Sequence, residues 1–128
     1  MQIGCQVYVK NSIEAVKLYQ RAFGWTIGMN FMNPDNGTYA HASLMFGECE
    51  MLAVAEDGGN RPKIQCGVFP VMSFNCCVKS KEAVDQAYKV LSENAHATGN
   101  PSGPNAVPWN EYCFTLVDKF GVLWWVAI

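Results

Sequence analysis

Few side chains in this sequence can move a proton near neutral pH, and their spacing spells no familiar site. His41 stands between two alanines, Ala40 and Ala42, in a stretch that reads as extended. A ring there can act as a general acid or base, or be merely structural or solvent-facing. His96 follows a helical stretch and is expected to be exposed. Glu48 and Glu50 flank Cys49 beside a turn, where carboxylates are ordinarily solvated. The run Val107-Pro108-Trp109-Asn110-Glu111-Tyr112 adds a carboxylate and a phenol. The catalytic candidates are therefore His41, Glu111 and Tyr112. No Gly-rich phosphate loop, HExxH or G-x-S-x-G is present. The glycines of "FGECE" and "DGGN" precede no helix, which argues against a phosphate role.

The six cysteines, at 5, 49, 66, 76, 77 and 113, form no CxxC and no Cys/His pattern suited to zinc. The first six residues lack the charged start and apolar core of a secretory signal, so a disulfide framework is not expected. The thiols read as small apolar fillers. The alternative is one reactive thiol, which nothing local marks.

The elements that must position these groups recur in two similar halves. Cys5 to Val16 resembles Phe74 to Val84: an extended apolar run, a Val-Lys step, a polar cap, then Glu-Ala-Val opening a helix. Ile3 to Val9 alternates as a strand. Asn11 with Glu14 makes a capping-box-like start, Ile13, Val16, Tyr19 and Phe23 recur at helical spacing, and Gly24 ends the helix. Trp25 to Met32, Thr38 to Phe46 and Cys49 to Ala55 read as strands separated by turns at Asn33 to Gly37 and at Gly47. Residues 56–62 form a loop. In the second half, Val71 to Val78 is extended and Ser80 caps a helix carrying Val84, Ala87, Tyr88 and Leu91, which Asn94 can end. Ala95 to Thr98 reads as a short strand and residues 100–105 as a loop. Glu111 to Val117 and Val122 to Ile128 are strands joined by a turn at Asp118 to Gly121. Each half is β-α-β-β-β, and each helix has one apolar stripe to cover its sheet.

The 128 residues are 50% apolar and 16% charged, with a net charge of -2. That composition excludes disorder and leaves no basic footprint for nucleic acid. No apolar run is long enough for a membrane helix. The expectation is a soluble, cytoplasmic protein without nucleic-acid or membrane partners.

A βαβββ unit used twice, with "EAVKLYQRAFGW" in the first helix and "VDKFGVLWWVAI" at the end, resembles the vicinal oxygen chelate (glyoxalase, bleomycin resistance, dioxygenase) superfamily. Within it, "YAHASLMFGECEMLAVAE" is similar to the PhnB-like subgroup, and the resemblance covers Ile3 to Ile128. It implies an α+β fold: two tandem βαβββ modules, about 1–58 and about 69–128, in a single glyoxalase-like domain. Their curved mixed sheets would enclose a cavity, with the helices on the outer faces, and the protein would be a homodimer.

Metal-using members of that superfamily hold a divalent ion with one residue from the first and one from the last strand of each module. Those positions fall here on Gly4, Ala53, Ser73 and Trp125, none an ordinary ligand. The resemblance therefore implies a metal-free member without cofactor. The cavity faces would carry Gln6, Tyr8, Ser73, Asn75 and Cys77, with Trp125 where metal sits in relatives. Trp109 and Tyr112 match aromatic positions bordering the pocket in the PhnB-like pattern, although both also suit an interface. Glu111 stands where many relatives carry Arg. Ligand-binding candidates are thus Gln6, Tyr8, Ser73, Asn75, Trp109, Tyr112 and Trp125, around a small organic ligand. The alternatives are a metal-independent enzyme (a lyase, isomerase or transferase-like activity) using His41, Glu111 or Tyr112, or an atypical metal enzyme pairing His41 with Glu50.

Overall fold

The computed structural model describes residues 1–59, 61–63 and 65–128. Asn60, in the loop expected over 56–62, lies outside the described residues. The chain divides into two compact units, Met1–Pro62 and Lys63–Ile128. Each is α+β, with one helix against one mixed sheet of four or five strands.

The first unit runs β1 (Gln6–Val9), α1 (Ser12–Phe23), β2 (Thr26–Met32), β3 (Tyr39–Phe46) and β4 (Cys49–Glu56). Its sheet has the order β1-β4-β3-β2, with β1 parallel to β4 and the other pairs antiparallel. Val7, Val9, Ala42, Leu44, Leu52 and Val54 are buried with Ala15, Val16, Leu18 and Tyr19 of α1. The apolar stripe of the helix and every second strand residue thus make one core.

The first strand is shorter than its alternation suggests. Pairing with β4 begins at Gln6↔Ala53, so Ile3 and Cys5 stay exposed instead of packing under the helix. The expected Asn11–Glu14 capping box does not form. Asn11 adopts a left-handed backbone (φ 63) and its side chain makes no cap bond. The parallel pairing brings the end of β4 to the start of α1, so Glu56 caps the helix instead. Its carboxylate accepts from Asn11 N–H at 2.8 Å, Ser12 N–H at 2.9 Å and the Ser12 hydroxyl at 3.0 Å. Glu14 pairs with Lys17 on the exposed side. Gly24 closes the helix as expected, with φ 70 and its N–H on the Gln20 carbonyl at 2.8 Å.

The second unit runs β5 (Phe74–Cys77), α2 (Lys81–Leu91), β6 (Ala97–Thr98), β7 (Asn105–Val107), β8 (Asn110–Val117) and β9 (Leu123–Ala127). The order is β5-β9-β8-β6, and β7 also pairs with β8. Sequence reading missed β7. The breakers from Asn100 to Pro104 split one edge of the sheet, so β6 pairs with one end of β8 and β7 with the other. β5 is shorter than the expected Val71 to Val78, and Met72 is exposed. Ser80 caps α2, its hydroxyl accepting from Ala83 N–H at 3.2 Å. The helix ends at Leu91 with Ser92 as cap, before Asn94 takes a left-handed conformation in the turn (φ 56).

Val84, Ala87, Val90 and Leu91 of α2 are buried with Phe114, Leu116, Trp124 and Val126. The Tyr88 ring meets Phe114 edge-on at 5.3 Å. The Asp118 turn is as expected, and its buried carboxylate accepts from the Phe120 and Val122 N–H groups and from Trp124 Nε1 at 2.9 Å. Among the described residues, no helix is long and apolar enough to cross a membrane.

Candidate functional site

In the second unit the strand residues that do not face α2 line a pocket of about 410 Å³, within the range of small-molecule sites. Adjacent strands carry Asn75, Trp125 and Thr115 in one row, because Asn75 and Thr115 both pair with Trp125. Alternation explains the partition of the tryptophans. Trp124 is 1% exposed and bonded to Asp118, whereas Trp125 lines the pocket. Leu123 and Val107 add apolar wall, and the buried thiol of Cys113 belongs to the lining. Trp109, 73% exposed, also belongs to the lining.

The polar members of the lining are neutral. Ser73 donates to Asn75 Oδ1 at 2.9 Å, while the Asn75 NH2 has no protein acceptor among the described residues. Asn100 is fixed on three sides. Its Oδ1 accepts from Thr115 N–H at 2.8 Å, its side-chain amide donates to Asn105 and its carbonyl accepts from the Tyr88 hydroxyl at 2.7 Å. None of the lining residues carries a charge. Such a surface can orient an uncharged molecule by hydrogen bonds and cover it with an indole face.

Four sequence candidates, Ser73, Asn75, Trp109 and Trp125, come together in this lining. Tyr112 does not join them. It lies one step out of phase with Cys113 and Thr115, and its hydroxyl donates to Asp85 Oδ1 on α2 at 2.6 Å. That bond is the main cause holding its phenol above the ordinary value. Glu111 is exposed on β8. Gln6 and Tyr8 belong to the first unit, where the Arg61 guanidinium lies 3.8 Å from the centre of the Tyr8 ring. His41 also belongs there, with Nε2 3.2 Å from Ser43 Oγ, and Ser43 donates in turn to Glu50. Glu50, expected to be simply solvated, is exposed yet engaged. His96 is half-buried and not fully exposed, because its backbone joins both Val117 and Gly67.

Sequence reading missed Asn100, Val107, Cys113, Thr115 and Leu123. Cys113 and Thr115 were within reach, since they alternate with the core residues Phe114 and Leu116. Asn100 sits in a loop and carries no such signal. The filler reading of the cysteines fits only Cys113 and Cys76, since the other four are exposed. Burial, with Cys77 beside it, pushes the Cys76 thiol up to about 11.

The residues that the family resemblance puts at metal positions do not fit a divalent ion. Gly4 and Ala53 offer no side-chain donor atom, Ser73 only a neutral hydroxyl bonded to Asn75, and the Trp125 indole only an N–H. The neighbouring pairs, Gln6↔Ala53 and Asn75↔Trp125, supply only an amide on each first strand. No group of three or more His, Cys, Asp or Glu suited to a metal exists among the described residues. His41 and Glu50 meet at Ser43 without a third donor of that kind.

No family model and no curated protein matches the sequence. Solved structures do. The PhnB protein of Bacillus cereus superposes with a TM-score of 0.79 at 21% identity, over 99% of this chain and 98% of that one. A structure described as a possible glyoxalase from Bacillus cereus gives 0.61 at 18%, over 100% and 99%. A variant of the fosfomycin resistance protein FosX from Listeria monocytogenes, complexed with Mn(II) and a dihydroxypropylphosphonic acid, gives 0.64 at 9%, over 99% and 90%. The chain accordingly shares the fold of these PhnB, possible glyoxalase and fosfomycin resistance structures.

Proposed function

We propose that this protein binds a small, uncharged organic molecule in the pocket of its second unit, without a metal ion and as a homodimer. The observation that carries the reading is the lining itself: amides, hydroxyls and indoles with no ionised side chain. A phosphonate such as the one bound by the FosX variant needs cations around it, and this lining has none. The absence of His and carboxylate at the superfamily's metal positions supports the metal-free part. The homodimer rests on the family resemblance, and sedimentation velocity tests it by the mass of the major species.

Native mass spectrometry of protein purified without chelator tests the binding. A retained organic adduct that disappears in Trp125→Ala is expected. One equivalent of tightly bound nickel, zinc, iron or manganese in elemental analysis would contradict the metal-free part. A saturating titration with benzamide and related neutral aromatic amides that leaves tryptophan fluorescence unchanged would contradict the ligand class.

A further inference from the structure

We propose that His41, set by Ser43 and Glu50, is a proton-accepting site in the first unit for a small molecule presenting a weakly acidic O–H or C–H. This site shares no residue with the pocket of the second unit.

Ser43 Oγ lies within hydrogen-bond distance of Glu50 Oε2 and 3.2 Å from His41 Nε2. A carboxylate only accepts, so the Ser43–Glu50 bond uses the one hydroxyl proton. The hydroxyl then has only lone pairs for the histidine, and Nε2 must carry the ring's proton. In a neutral imidazole this leaves the lone pair on Nδ1, which has no protein partner among the described residues.

Exposure agrees with that division of roles. Ser43 is 2% exposed and serves only to position, while the His41 ring is half-buried and open to a ligand. His41 and Ser43 share the sheet face opposite Ala42 and Leu44, which are buried with α1. Phe31, paired with His41 on β2, offers an exposed aromatic flank. Ala53 pairs with both Ser43 and Gln6, so a methyl floor separates the relay from an amide that can orient a polar group. Among ionisable groups on the strands of this sheet, β2 has none, β1 has Tyr8, β3 has Tyr39 besides His41, and β4 has Cys49, Glu50 and Glu56. Glu56 is committed to α1.

The ligand's proton passes to Nδ1 and its electron pair stays on the ligand. The ring becomes an imidazolium that still donates through Nε2 to Ser43, and Ser43 still donates to Glu50, whose negative charge offsets the new positive one. Returned to another atom of the same molecule, the proton completes an isomerisation; no oxidant or second substrate is needed.

Nitrogen NMR of the imidazole, with His96→Gln used to assign the two histidines, tests the arrangement. The neutral His41 ring should carry its proton on Nε2 in the wild type and become a tautomer mixture in Ser43→Ala and Glu50→Gln. Diethyl pyrocarbonate should acylate His41, identified by peptide mass, because its Nδ1 is left open. A proton on Nδ1 in the wild type, a tautomer unaffected by either variant, or an unreactive His41 beside a reactive His96 overturns the proposal. Glu50 is exposed, so its variant keeps the test readable if Ser43→Ala does not fold.

Discussion

Trp124 and Trp125 are adjacent, and strand alternation sends one indole to the core and the other to the pocket. Replacing Trp125 with Ala should weaken binding of a neutral aromatic amide by roughly tenfold or more, the loss typical of truncating a buried aromatic contact. Tyr112→Phe should leave that affinity unchanged, because the Tyr112 hydroxyl is turned to Asp85. Both affinities are read by fluorescence titration. At Cys76, burial disfavours the thiolate and raises the pKa to about 11. Iodoacetamide reacts with thiolates, so at neutral pH Cys76 should be alkylated more slowly than the exposed Cys5 and Cys49. The gap should narrow as pH rises towards 11, as followed by peptide mass spectrometry; equal rates at neutral pH would contradict the burial argument.

Between elements, the tie that local sequence could not reveal is Glu56 on the start of α1, 44 residues from Ser12. Asn11 and Glu14 offered a plausible local cap, but the parallel β1–β4 pairing put a stronger acceptor at the same place. Glu56→Gln keeps one acceptor and loses the charge, and should cost about 1–2 kcal/mol of stability in urea denaturation. Ser80→Ala removes an ordinary cap and should cost about 1 kcal/mol. Glu14→Gln should cost less than either, since its pairing with Lys17 is exposed. The helices and the longer strands were legible because periods of 3.6 and 2 persist over several residues. β6 falls within the short strand expected over Ala95 to Thr98, whereas β7, of three residues, is too short to show a period, so that part of an edge broken by Pro and Gly read as loop.

At the scale of the whole chain, the internal repeat carried the most information. Two matching strand-cap-helix segments pointed to two βαβββ modules, and each unit has that order, the second with one edge strand split. The pocket was legible where alternation applied, at Ser73, Asn75 and Trp125, and illegible where a loop amide such as Asn100 is fixed by distant partners. The central claim concerns an uncharged ligand held in the second unit without metal, and backbone NMR during titration with benzamide tests it most directly. The account predicts saturable shifts centred on Ser73, Asn75, Thr115 and Trp125 in metal-free buffer. Shifts that appear only after a divalent cation is added, or that leave these four residues untouched at saturation, would contradict it.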